Sequence, residues 1–287
     1  FGEVYEAAFG SMIPKATLEE GLRQINSGPS LETMIANNGG LNQQRIDGGM
    51  VALCEALAAD LGNVVRLGNP VTKVTHGDTA VVTLASGETI EARTVVSTLP
   101  PRLAVALEYD PPLPQWRQDV AEKVTPGNVI KAYLVYETPF WRERGLSGQS
   151  SSDEGAVRVT FDTTPADSTR GLLMGFFEGN EADSLAHRSL ETRRRAFVES
   201  AVRAFGAEAA EPIEYLERDW SAEQYTWGCH GAHFAPGIWT SNGPVLAAPD
   251  GCLYWAGAEY STKFNGYMEG AVRSGEEVAA TIAVALI

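Results

Sequence analysis

Cysteine is scarce in this sequence: Cys54, Cys229 and Cys252 are the three in 287 residues. An odd count with no CxxC and no Cys/His ligand spacing argues against a disulfide framework and a zinc site, and favours a reducing, cytoplasmic setting. Long apolar runs are missing too. None approaches the roughly 18 residues of a membrane-spanning helix, and no basic-then-apolar signal segment opens the chain. Positive charge is in short supply: 37 Asp and Glu against 22 Lys and Arg give a formal net charge of −15. A nucleic-acid partner needs the opposite balance. There is no initiator Met. The opening "FGEVYEAAFGSMIPKATLEEGL" already reads like the middle of a helical region, as expected of a processed chain or one part of a larger polypeptide. A last absence is G-x-G-x-x-G, the loop with which a dinucleotide-binding sheet holds its pyrophosphate. Either no dinucleotide binds, or that loop lies on another chain.

What remains is a composition of 44% hydrophobic and 21% charged residues, that of an ordinary globular protein. The length favours two domains over one. Residues 1–40 read as amphipathic helix ending at "NNGG". In "RIDGGMVALCEALAADLG" (45–62), Met50, Leu53, Leu57 and Leu61 recur at helical spacing, which predicts a helix with one buried face. Short β-rich runs follow at 64–67, 70–76, 80–86 and 89–99, with turns at 76–78 and 86–88. "TVVSTLPP" is apolar on nearly successive residues, as a strand of a parallel sheet is. A second β-rich region covers 129–141, 157–163 and 172–179, then a helical stretch over about 183–205 and a strand at 213–220. The fold class expected is α/β, a nucleotide-binding sheet-and-helix domain interleaved with an α+β domain on a mixed sheet.

Several residues stand out. Near the C-terminus, "LYWAGAEYSTKFNGYMEGAVRSGEEVAATI" (253–282) predicts a strand, a polar loop and a helix starting at about 265–266. Gly266, Gly270 and Ser274 then stack on one face. Small residues there suit close packing on a strand. They also suit a flat or anionic ligand at the helix N-terminus, where backbone N–H groups are free. Lys131 lies in a strand pattern beside Ile130, Ala132 and Leu134; by position it is an edge lysine reaching water, and alternatively a cation in a cleft. Cys229, in "WGCHGAHFAPG", is a small buried thiol or a covalent anchor for a cofactor. His230 and His233 lack the partners a metal would need. Tyr267 is a core aromatic or one wall of a pocket.

Taken together, these segments resemble one family. "AGAEYSTKFNGYMEGAVRSGEEVA" is similar to the C-terminal cofactor segment of the flavin-containing monoamine oxidases. "YTWGCHGAHFAPGIWT" is similar to their flavin-face loop, "GNVIKAYLVYETPFW" to their lysine-bearing strand, and "RIDGGMVALCEALA" with "PVTKV" and "VVSTLPP" to their second cofactor block. The resemblance covers essentially the whole chain except the N-terminal βαβ unit with its glycine loop. It implies a Rossmann-like FAD domain, incomplete here, over 45–121 and 223–287, and a substrate domain over 1–44 and 122–222.

It further implies FAD, bound through Val71, Gly257, Ala258, Glu259, Tyr267 and Met268, with the helix N-terminus at the pyrimidine edge of the ring and Gly266 and Gly270 bare to let the cofactor approach. Cys229 matches the position of a thioether in animal members, and non-covalent binding is the expectation. Lys131 matches a lysine holding a water at the flavin, Trp220 its neighbouring tryptophan, and Tyr267 one aromatic wall. His230 stands where the opposite aromatic wall is usual, which suits a substrate with a second polar group. The implied activity is oxidation of a small amine with release of hydrogen peroxide. An L-amino-acid oxidase and a non-catalytic subunit are the alternatives, and a second polypeptide would supply the glycine loop.

Overall fold

The computed structural model describes residues 18–36, 39–41 and 43–286. The expected helix over residues 1–17 lies outside the described residues. The described residues fall into two compact units, one built from 19–124 and 234–286 and the other from Leu18 together with the continuous stretch 125–233.

In the discontinuous unit, α1 (Leu18–Ser27) is followed by α2 (Val51–Leu61) and strands β1 (Val71–His76), β2 (Ala80–Leu84), β3 (Thr89–Ala92), β4 (Val95–Ser97) and β5 (Glu108–Asp110). The order in its larger sheet is β3-β2-β1-β5, antiparallel except where β5 runs parallel to β1. The two expected turns close the β1–β2 and β2–β3 hairpins. Two expectations for this region come out differently. Residues 64–67 make no strand: a 3-10 turn over Gly62–Val64 leads into irregular chain, leaving Leu67 86% exposed. In α2 no residue is buried, and Leu57 and Leu61 are 53% and 61% exposed. The helical period is there, but among the described residues nothing covers the face it creates.

Short strand β6 (Val124–Pro126) leads into the continuous unit, which holds β7 (Val129–Tyr136), β8 (Ser150–Ser151), β9 (Val159–Asp162), β10 (Gly171–Glu178), α3 (Leu190–Phe205) and β11 (Glu214–Asp219). The sheet order is β11-β7-β10-β9-β8, with every neighbouring pair antiparallel. The helical stretch expected at 183–205 divides in two because Ser189 caps α3, its Oγ accepting from Thr192 N at 3.2 Å. Strand alternation then sorts the sheet's faces. Ile130, Ala132, Leu134 and Tyr136 of β7 and Leu173 and Phe177 of β10 pack with Phe197, Ala201 and Phe205 of α3 in one core. The residues between them point to the other face.

After β12 (Ala232–Phe234) the chain returns to the discontinuous unit with β13 (Leu253–Trp255) and α4 (Met268–Ala285). β13 pairs in parallel with β4, Trp255 opposite Ser97, as the apolar pattern of "TVVSTLPP" predicts. Among the described residues no helix is long and apolar enough to cross a membrane.

Candidate active site

The face of the five-stranded sheet turned away from α3 carries polar groups among aromatics. Lys131 is half-buried on β7, directly opposite Phe176 of β10. Its Nζ lies 5.4 Å from the centre of that ring, a cation–π contact that replaces the solvent-reaching lysine expected from position alone. Two residues further along the same face, Glu178 ends β10 with only 5% of its side chain exposed.

The loop 227–231 is fastened beside this face by backbone contacts. Cys229 N donates to Gly127 O at 2.9 Å, and Gly127 N donates to Gly231 O at 3.2 Å. A methyl group on Gly127 would overlap the Cys229 carbonyl oxygen, so only glycine lets the two segments lie this close. His230 takes a left-handed backbone, φ 63°, and its ring stands edge-on to Phe176 with centroids 4.9 Å apart. Its Nδ1 is 3.5 Å from Glu178 Oε1. Burial pushes the Cys229 thiol up, with the Lys131 charge acting in the opposite sense. Among the described residues no three His, Cys, Asp or Glu groups gather as metal ligands.

Trp220 follows β11. Its backbone N donates to Val129 O at 3.1 Å, two residues before Lys131, and Ser221 Oγ donates to Asn128 Oδ1 at 2.6 Å to hold the same corner. The indole Nε1 is buried with no hydrogen-bond partner among the described residues. Lys131, Cys229, His230 and Trp220 thus all belong to the continuous unit. Sequence reading missed Glu178 and Phe176. The signal was a carboxylate closing the apolar run "LLMGFFE", in phase with the face of Lys131.

The other expected residues belong to the discontinuous unit. Val71 begins β1, half-buried at an irregularity in its pairing with β2. Gly257, Ala258 and Glu259 follow β13, and burial pushes the Glu259 carboxyl up. Tyr267 is the N-cap of α4, which starts at Met268 rather than at 265–266, and no side chain caps it. Gly266 therefore precedes the helix, at φ 78°. Gly270 has a reason to be bare within the chain itself: a methyl there would overlap the Phe264 carbonyl oxygen of the preceding loop. Ser274 accepts from Gly257 N at 2.7 Å, tying the helix to the loop after β13. Asn265 braces that loop through Nδ2, donating to Glu259 O at 3.0 Å and Ser261 O at 2.8 Å.

Residues 11–283 match the model of the flavin containing amine oxidoreductases. The chain belongs to this family. Membership implies a flavin cofactor, FAD, and the residues fit one: the first turn of α4, which no side chain caps, offers N–H donors of the kind that meet a cofactor rich in acceptors. The chain is 38% identical over 265 residues to a Mycobacterium tuberculosis protein named as a flavin-containing monoamine oxidase, covering 92% of this chain and 58% of that one. It is 35% identical to dog flavin-containing amine oxidase B over 87% of this chain and 49% of the relative. It spans about half the length of these relatives. Among solved structures, putrescine oxidase bound to putrescine superposes with a TM-score of 0.93 at 30% identity, over 99% of this chain and 64% of that one. Cyclohexylamine oxidase from Brevibacterium oxydans gives 0.89 at 26% identity, over 99% and 63%.

Proposed function

We propose that this chain is the larger, C-terminal part of an FAD-dependent oxidase that converts a small primary amine or diamine to the imine, which water hydrolyses to the aldehyde. When bound, FAD supplies the two-electron sink that accepts hydride from the amine carbon and delivers the electrons to O2 as hydrogen peroxide. The chain's own residues hold, orient and exclude. In this reading Lys131 holds a water at the reacting face, Trp220 confines it, and Tyr267 and His230 flank the amine. The N–H groups at the start of α4, including that of Met268, stabilise negative charge on the ring by roughly 0.3–2 kcal/mol. Gly257, Ala258 and Glu259 meet the phosphates and ribityl chain, and Val71 the adenine. Residues 45–121 and 223–287 serve the cofactor, and 1–44 and 122–222 the substrate. The observation that best supports the reading is that Phe176, opposite Lys131 on β7, meets both the Lys131 Nζ and the His230 ring.

FAD is held without a covalent bond, since the buried Cys229 thiol is pushed away from the thiolate that bond formation needs. A further segment with a G-x-G-x-x-G loop, on a second polypeptide or another part of a longer one, completes the cofactor domain. The uncovered apolar residues of α2 and the parallel pair β4–β13 support this, because parallel strands are normally buried on both sides. The three free thiols suit a reducing, cytoplasmic setting.

A panel of monoamines, diamines and L-amino acids, added to the complete flavin-loaded assembly with peroxide as the readout, tests the activity. Peroxide from amines is expected. Peroxide from L-amino acids alone would make it an amino-acid oxidase, and none from any substrate would leave a binding subunit.

A further inference from the structure

Helix α1 carries a buried cation. Arg23 is 8% exposed, and its guanidinium lies over two aromatic rings, with Cζ 5.3 Å from the centre of Phe234 and 4.7 Å from that of Trp239. Its Nη1 donates to Asn265 Oδ1 at 2.5 Å, a bond between residues 242 apart in sequence. Asn265 is 2% exposed and belongs to the loop that joins β13 to α4. Helix α1 falls in the stretch grouped with the substrate residues, yet Arg23 shares one compact unit with this cofactor loop.

A guanidinium offers only donors, whereas a carboxamide has one accepting and one donating end. Arg23 therefore fixes which end of Asn265 faces it. The oxygen turns to the cation, and Nδ2 is left to donate to Glu259 O at 3.0 Å and Ser261 O at 2.8 Å. Reversing the amide would set donor against donor and oxygen against oxygen, so the three bonds stand or fall together. A second bond from α1 reinforces them, Phe264 N donating to Ser27 O at 2.7 Å. Phe264 has φ 48°, a left-handed backbone that a residue with a side chain rarely adopts. Such a conformation persists only where its surroundings over-determine it, and such positions cluster at ligand clamps. The loop also closes on itself, Gly266 N donating to Ala258 O at 3.1 Å. At its ends stand Gly257, Ala258 and Glu259 on one side and Tyr267 and Met268 on the other.

We propose that Arg23 is a positioning residue for the cofactor, an inference that rests on the flavin-oxidase reading above. Acting through Asn265, it sets the spacing between the turn at 257–259 and the first turn of α4, and so the fit of both to FAD. Arg23 itself need not touch the cofactor. Without its bond, the amide bridge to Glu259 and Ser261 loses its orientation, and the N–H groups that begin α4 shift against the residues that meet the phosphates. Those N–H groups favour negative charge beside them, so their displacement also makes a bound flavin harder to reduce.

The test uses the complete protein, both flavin-loaded and stripped of flavin. Arg23→Met keeps the stem and removes every donor. Lys263 is exposed in the loop, so trypsin cleavage after it, read by mass spectrometry, reports how firmly the loop is held without any flavin. In flavin-free Arg23→Met this cleavage should quicken about tenfold, as loss of one buried charge-assisted bond implies. The FAD dissociation constant, read by flavin fluorescence, should rise by about the same factor. The absorption bands of the bound flavin should shift and its reduction potential should fall. Arg23→Lys, which retains the charge and a donor, should recover most of each change. Asn265→Asp is the sharper variant: its carboxylate still accepts from Arg23 but cannot donate to Glu259 and Ser261, so it should behave like Arg23→Met. Unchanged cleavage in Arg23→Met, or an Asn265→Asp variant indistinguishable from wild type, overturns the hold on the loop. Faster cleavage with affinity, absorption and potential all unmoved overturns the role in positioning the cofactor. If Arg23→Met does not fold, the other two variants decide by the same readings. A wild type that binds no FAD would sink the flavin-oxidase reading and the cofactor role with it, while the cleavage rates would still show whether Arg23 holds the loop.

Discussion

Lys131 and Cys229 lie on the same stretch of molecular surface, yet each makes a different experiment decisive. Lys131 is held above Phe176 on a strand whose other face is core, so its position is rigid while its charge is free to act. Lys131→Met keeps the packing of the stem. It should leave flavin bound and slow either flavin reduction or its reoxidation by O2 by about a hundredfold; rapid-mixing kinetics of both half-reactions check this, and two unchanged rates would reduce Lys131 to a packing cation. For Cys229 the expectation is chemical. Acid precipitation of the loaded enzyme should release yellow colour to the supernatant, and colour kept in the pellet of the wild type but lost in Cys229→Ala would mean a thioether after all. The strand that carries Lys131 was legible in "VIKAYLVY", but its setting was not: position alone pointed the lysine to water, and only the pairing of β7 with β10 puts Phe176 beside it. Nor was that of Glu178. A carboxylate at the end of a strand ordinarily reaches water, and only the fold brings the His230 loop over it.

Helix α4 shows what glycine spacing can and cannot convey. The four-residue repeat of Gly266, Gly270 and Ser274 suggested a continuous bare stripe. Instead the three serve separate ends: a left-handed turn before the helix, room for a loop carbonyl, and a hydrogen bond to Gly257. Gly270→Ala should therefore destabilise the protein by about 1–3 kcal/mol, because backbone atoms rather than a flexible side chain oppose the methyl. Thermal unfolding followed by circular dichroism would register this as a midpoint lowered by several degrees, and an unchanged midpoint would mean the loop yields freely. The strands of the continuous unit were legible because all their pairing partners lie within the chain. Residues 64–67 have the composition of a strand and the period of α2 that of a buried helix, but neither finds a surface among the described residues on which to act.

At the scale of the molecule, that uncovered surface is the most consequential feature. Each large apolar side chain left in water forgoes roughly 1.5–3 kcal/mol of burial, and Val51, Leu57, Leu61 and Val64 form such a group. If a glycine-loop segment belongs there, this chain alone should lose FAD on gel filtration and regain it when that segment is supplied. Leu57→Glu should leave the circular dichroism of the isolated chain unchanged and block the reunion. Tight FAD binding by the isolated chain would count against the missing segment. The same unit is also discontinuous in a way that bears on its birth. Strand β4 can meet its parallel neighbour β13 only after the whole intervening unit has left the ribosome, on the order of ten to thirty seconds later at ordinary elongation rates. For that interval Val95 and Val96 present an open strand edge, whereas the five-stranded sheet finds all its strand partners within residues 129–219 and is free to pair first. A nascent-chain experiment should find protease-resistant material from residues 125–233 before any from the residues that precede them.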